Sequence, residues 1–223
     1  MRSASLILLS WLYLWPAPVQ ADEASQRSQE AMLLHTRPRF ADLEVWNRSG
    51  GSWAAKPVPS GKVLVVNLWA RSCKPCLEEM PLLARIVSGW RGRREVEFLF
   101  IADGPAEMTR ANVEDFWQHP SVDLPGKNCP GQSQRLPGSG SRCPLDLPDV
   151  DPWRATSDQL GTELRTAVKP ITLFVDPHGF VRQVFVGSIT DRSREFADSL
   201  ERLLRAVASE RSPGIRSNPP RKS

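Results

Sequence analysis

The sequence is poor in metal ligands, in long apolar runs and in clustered charge. Its three histidines, His35, His119 and His178, show no HxxxH spacing, so they make no local zinc motif. The apolar core near the N-terminus, Leu6 to Trp15, is shorter than the roughly 20 residues a membrane-crossing helix needs. Lys and Arg are scattered, and the cluster "RGRR" at Arg91 to Arg94 has no interleaved aromatics. It reads as a solvated helix end, and no nucleic-acid partner is expected. No internal repeat is visible, and the residue immediately after Ala21 is not cysteine, so a lipid anchor at that point is not expected.

What remains is ordinary globular composition. The 223 residues are 40% hydrophobic and 24% charged, with a net charge of +4. That suits one domain plus appendages. Residues 1–21 carry Arg2, the short apolar core, Pro16 and Pro18, and small residues at −3 and −1 of Ala21. This is a signal-peptide pattern, with an uncleaved N-terminal anchor as the second reading. Export implies a periplasmic or secreted chain in an oxidising compartment, where disulfides persist. Residues 22–35 are polar and read as a flexible leader. The domain is expected at 36–209, with an irregular Pro/Gly/Ser-rich insertion at about 121–152, and 210–223 as a disordered basic tail.

Along the domain, "NRSGG" between two half-apolar runs signals a hairpin. "GKVLVVNLWA" is a Val-rich apolar run, as expected for a strand buried on both faces. From Cys76 the apolar residues Leu77, Met80, Leu83, Ile86 and Val87 recur at helical spacing, with Pro81 inside the pattern as an expected kink. "VEFLFIADG" reads as a second buried strand and "PAEMTRANVEDFWQHP" as a helix. "ATSDQLGTELRTA" reads as another helix, "ITLFVDPHGFVRQVFVG" as two strands joined by a turn, and "SREFADSLERLLRAVAS" as a closing amphipathic helix. The order implies an α/β fold: a parallel βαβ unit extended by an antiparallel hairpin, with helices on both faces of a mixed sheet.

The chemistry centres on "CKPC". Cys73 and Cys76 are followed by 52 residues and then by Cys129 and Cys143, with 13 residues between these two. Two short knuckles would be needed for structural zinc, and the second pair is too widely spaced. A purely structural disulfide would close so small a loop that it gains little chain entropy. A reversible redox pair fits better. The cysteines lie where a buried strand gives way to a helix, and free N–H groups there favour a thiolate. Cys73 is the expected nucleophile and Cys76 the resolving thiol. Lys74 adds positive charge, and Pro75 suits a first helical turn because its missing N–H has no partner there anyway. Cys129 and Cys143 read as a structural disulfide across the insertion, worth roughly 3 kcal/mol for a loop of this length. The rival reading is a second redox pair feeding the first.

Together, "VLVVNLWARSCKPCLEEMPLL" and "VKPITLFVDPHGFV" resemble the thioredoxin-like family of exported thiol–disulfide oxidoreductases, the TlpA/ResA/CcmG group. The likeness runs from about Pro38 to Val207. It implies a thioredoxin-like fold with an N-terminal β-hairpin. It places Pro170 as a cis-proline facing the redox pair, Glu79 as the acidic residue below the site, and Trp69 as the tryptophan after the strand. Without the resemblance, Glu79 reads equally as a surface residue beside Glu78 and Trp69 as core. Pro170 reads as a trans proline at a strand start, and Lys169 as a solvent-facing cation. The chain departs from the family in three places. Ser72 stands where Trp is usual, Lys169 stands where an uncharged residue precedes the proline, and the insertion is not general. Lys169 is expected near the Cys73 thiolate, opposed by Glu79.

The expected activity is thiol–disulfide exchange with protein substrates. The resemblance implies a reductant role, for example on apocytochrome cysteines before haem attachment, whereas CKPC itself does not fix the direction and an oxidase or isomerase role stays open. A membrane thiol-transfer protein would recycle the pair. No cofactor or metal is expected. Two alternatives stand beside it: a thiol peroxidase, against which Ala70 occupies a position usually held by Thr or Ser, and a non-enzymatic copper(I)-handling factor.

Overall fold

The Val-rich run becomes the strand around which the chain is organised. In the computed structural model the described residues are 23–36, 39–40, 44–49, 52–70, 72–102, 113, 121–123, 142–144, 152–155 and 168–211. Strands β1 (Glu44–Ser49) and β2 (Ser52–Pro57) form the expected hairpin, with Ser49 paired to Ser52. Strand β3 (Val63–Trp69) is followed by helix α2 (Lys74–Gly89) and strand β4 (Val96–Ala102). Two short strands, β5 (Ser121–Asp123) and β6 (Arg142–Pro144), pair with each other, and β7 (Pro152–Ala155) joins the main sheet. Strands β8 (Ile171–Val175) and β9 (Val181–Val186) form the closing hairpin. A 3-10 turn at Thr190–Arg192 then leads into helix α3, Ser193–Arg211. Before all of these stands helix α1, Glu23–Thr36.

The main sheet has the order β2-β1-β7-β4-β3-β8-β9. β3 and β4 are parallel, as a βαβ unit requires, and β4 and β7 are parallel too. β8 runs antiparallel to β3, and β9 to β8. All seven residues of β3 are buried, because both faces of the sheet are covered. Val63, Val65 and Trp69 face the core built with Cys76, Met80 and Leu83 of α2 and Phe196 and Leu200 of α3. Leu64, Val66 and Leu68 face the other core, which includes Leu33 of α1, Phe40 and Val45. Phe174, Phe185 and Phe196 stack in the first core, with ring centroids 4.9 to 5.7 Å apart. Such pairs add to the area they bury.

Several expectations are corrected. Residues 22–35, read as a flexible leader, instead supply α1, in which Glu30 and Leu33 are buried. A helix that buries only a carboxylate and one leucine, with Leu34 packed at the edge, shows almost no apolar stripe, so periodicity missed it. The insertion, read as irregular, contributes the pair β5–β6. Its end, with "PWRA", forms β7 between β1 and β4. Pro152 occupies the first position of that strand, where proline is tolerated. Pro81 lies inside α2 as read. The helix expected over 105–120 is described only at Val113, which is helical and buried. Of the helix expected over 155–167, Ala155 ends β7 instead, and Glu210 and Arg211, read as tail, are helical. The signal segment with Asp22, and residues 156–167 and 212–223, lie outside the described residues.

Gly187 shows how closely α1 approaches the sheet. Its φ is +81°, and a Cβ built there would meet Gln26 Nε2 of α1 at 2.9 Å. Gly187→Ala should therefore strain the left-handed backbone, with the end of the Gln26 side chain swinging aside, costing about 1–2 kcal/mol. Denaturant unfolding measures this, and a variant as stable as the parent contradicts the left-handed backbone at Gly187.

Candidate active site

The site begins where β3 stops. Trp69 is the last residue of the strand and is fully buried. The chain then turns, with the Cys73 N–H donating to the Ala70 carbonyl at 3.0 Å. Cys73 is the N-cap of α2, with extended backbone (φ −87°, ψ 96°). Its carbonyl accepts the first helical bond, from Leu77 N–H at 3.2 Å. Its sulfur accepts from the Cys76 N–H at 3.2 Å. Cysteine thus takes the part that Ser or Asp usually plays at a helix start. Pro75 fits the first turn, where no N–H is missed. When the disulfide opens, the same N–H and the positive end of the helix favour negative charge on the Cys73 sulfur.

Cys73 and Cys76 are disulfide-linked, with Cα atoms 5.3 Å apart. Cys76 is completely buried, whereas Cys73 is partly exposed and Lys74 and Pro75 are exposed. An incoming reagent therefore reaches the Cys73 sulfur first. The Lys169–Pro170 peptide bond is cis. Because Leu68 pairs with Ile171, the β3–β8 register carried one residue further sets Pro170 opposite Trp69. Pro170 thus lies at the end of the sheet where the CxxC segment leaves β3. Pro170 is buried and Lys169 half-buried. The Pro170 carbonyl accepts from Gly187 N–H at 2.9 Å. Cys143 lies in β6, opposite Val122, and Cys129 lies outside the described residues.

Glu79, one turn beyond Cys76, is wholly buried. It does not occupy the solvent-facing position that its neighbour Glu78 suggests. Asn67 Nδ2 donates to its Oε1 at 3.0 Å, and the Ile189 N–H donates to Oε2 at 3.0 Å. Asn67 Nδ2 also reaches Thr172 Oγ1 on β8 at 3.1 Å. Burial pushes the Glu79 carboxyl up to about 7, against the lowering effect of the Ile189, Asn67 and Ser188 hydrogen bonds. Asn67 and Thr172 were missed from sequence. The available signal was one polar residue inside an otherwise apolar buried strand, since such a group demands a partner.

The architecture is a thioredoxin-like fold: a mixed sheet covered on both faces, with a CxxC pair at the start of the helix after the central strand and a cis-proline at the same end. Among solved structures, the chain is similar to the pneumococcal exposed lipoprotein thioredoxin Etrx1 of Streptococcus pneumoniae. The TM-score is 0.50 at 16% identity, over 73% of this chain and 100% of that one. An uncharacterized thioredoxin-like protein of Porphyromonas gingivalis gives 0.47 at 14% identity, over 76% and 94%. MTB dsbF gives 0.46 at 18%, over 77% and 98%. At 16% identity the likeness to Etrx1 is one of fold alone. No protein-family model matches the chain, and no curated protein matches it in sequence.

A buried carboxyl raised to about 7 binds its proton more tightly folded than unfolded. Its contribution to stability is full below about pH 4.5 and is lost as pH rises through about 7. Between pH 5 and 8, oxidised wild-type protein should lose about 2–3 kcal/mol that Glu79→Gln does not lose. Denaturant unfolding of both proteins at the two pH values checks this, and equal losses contradict it.

Proposed function

We propose that the chain is an extracytoplasmic thiol–disulfide oxidoreductase that works as a reductant of protein disulfides. The observation that carries the reading is the unequal burial of a disulfide-linked pair whose outer sulfur caps a helix N-terminus. The cis-proline at the same end of the sheet supports it. In the reduced protein, the Cys73 thiolate attacks one sulfur of a substrate disulfide. A mixed disulfide forms and the other substrate sulfur leaves as a thiolate. Cys76 then loses its proton and attacks Cys73, releasing the second substrate thiolate. Two electrons pass to the substrate, and the Cys73–Cys76 disulfide is formed. Glu79, one turn from Cys76 and with a carboxyl near 7, is suited to hold the resolving proton.

The N-terminal pattern at residues 1–21 supports an extracytoplasmic setting. The sequence resemblance supports the reductant direction, apocytochrome cysteines as one substrate, and a membrane thiol-transfer protein as the source of electrons. The Cys129–Cys143 pair is proposed as a structural disulfide.

Cys76→Ser should accumulate mixed disulfides with substrate proteins through Cys73, visible as high-mass bands that collapse on reduction. Cys73→Ser should not. Trapping by Cys73→Ser alone reverses the two roles, and trapping by neither contradicts the mechanism.

A further inference from the structure

The segment Val186–Ile189 ties three parts of the molecule together through its backbone N–H groups. Gly187 donates to the carbonyl of Pro170 at 2.9 Å. Ile189 donates to Glu79 Oε2 at 3.0 Å. Val186, on the outer edge of β9, donates away from the sheet to Glu30 Oε1 of α1 at 2.8 Å. An edge N–H would otherwise be left to solvent or to another chain. Glu30 is only 7% exposed. The Arg192 guanidinium holds it by both oxygens, Nη1 to Oε1 at 2.6 Å and Nη2 to Oε2 at 3.2 Å. This two-pronged geometry fixes direction as well as distance. The guanidinium also stacks 4.9 Å over the Phe185 ring and bonds Glu195. The backbone N–H of Arg192 closes on the Ile189 carbonyl at 3.0 Å. The peptide group that solvates Glu79 is therefore flanked on both sides by groups that Glu30 grips.

We propose that Glu30 of α1 is a positioning residue for the redox centre, acting with Arg192 through Val186–Ile189 on Glu79 and Pro170. This rests on the oxidoreductase reading of the site for its functional meaning, and on hydrogen-bond geometry for its structure. The Glu30 carboxylate faces Arg192, with Glu195 beyond it and Arg27 close enough to act on Glu195. The hydrogen-bonding groups at Glu79 are neutral: Asn67 from β3, and Ser188 and Ile189 from the loop after β9. On its own helix the adjacent titratable residues are Cys76 and Glu78. Losing Glu30 frees Val186 N–H and releases Arg192. The Ile189 N–H then no longer sits fixed on Glu79, and the carboxyl loses a donor that favours its ionised form. A helix ahead of the hairpin, outside the βαβ unit that carries the cysteines, thereby sets the protonation of the group beside the resolving thiol.

The test follows the Glu79 side-chain carboxyl by carbon NMR against pH in oxidised full-length protein. In Glu30→Ala its midpoint should rise by about half to one pH unit. Amide exchange at Gly187 and Ile189 should quicken. Glu30→Gln keeps an acceptor for Val186 N–H and should shift the midpoint less. In reduced protein, the pH profile of disulfide exchange should move with the Glu79 midpoint, and that movement should vanish in a Glu79→Gln background. Where Glu30→Ala does not fold, Arg192→Gln carries the same test and should give a smaller shift in the same direction. An unmoved Glu79 midpoint in a folded variant, or an equal movement of the exchange profile with and without Glu79, overturns the proposal. Absence of disulfide exchange by the wild-type chain overturns the oxidoreductase reading instead, because the carboxyl titration does not depend on catalysis.

Discussion

The junction at the end of β3 is the constraint on which the rest depends. A strand buried on both faces must have its backbone groups paired, and β3 pairs with β4 on one side and β8 on the other. That pairing fixes where Trp69 ends and where the chain must turn. The first turn of α2 then begins just after Cys73, whose sulfur occupies the capping position and accepts from the Cys76 N–H. The β8 register sets Pro170 opposite the same end. The reactive pair, its helix dipole and its cis-proline are thus consequences of one strand's position. A slip of one residue in β3 would turn Asn67 and Trp69 to the opposite face.

A second consequence is a carboxylate where none is cheap. Glu79 lies on the α2 face turned toward β3, one turn from Cys76, and is cut off from solvent. Desolvation dominates its environment, and hydrogen bonds from Ile189, Asn67 and Ser188 offset only part of the cost. The fold keeps at its centre a group that weakens it at neutral pH. That pattern suits a functional site better than a structural one. The surrounding donors come from β3 and from the loop after β9, so the site depends on elements far apart in sequence.

Some of this was legible from residues alone. The continuous apolar run at 63–69, the hairpin at "NRSGG" and the closing "DPHG" turn each carried a local signal, and the strands followed. The CxxC position followed from the switch between strand and helix patterns. α1 was not legible, because it binds through Glu30 to a backbone N–H and an arginine more than 150 residues away, and pattern reading has no term for such a contact. β7 was hidden for a similar reason. Four residues beside prolines and acids become a strand only because β1 and β4 leave a slot between them. Asn67 and Thr172 were present as letters, but their meaning required knowing that they meet across β3 and β8.

The central claim is that Cys73 and Cys76 form one reversible two-electron couple. Equilibration of the full chain in glutathione buffers of graded ratio, followed by alkylation and mass mapping of the peptide containing both cysteines, tests it most directly. The account predicts a single transition in which both thiols appear together and disappear together on back-titration, fitting a two-electron slope. A pair that stays closed in excess dithiothreitol, or that opens one thiol at a time without re-forming, contradicts it.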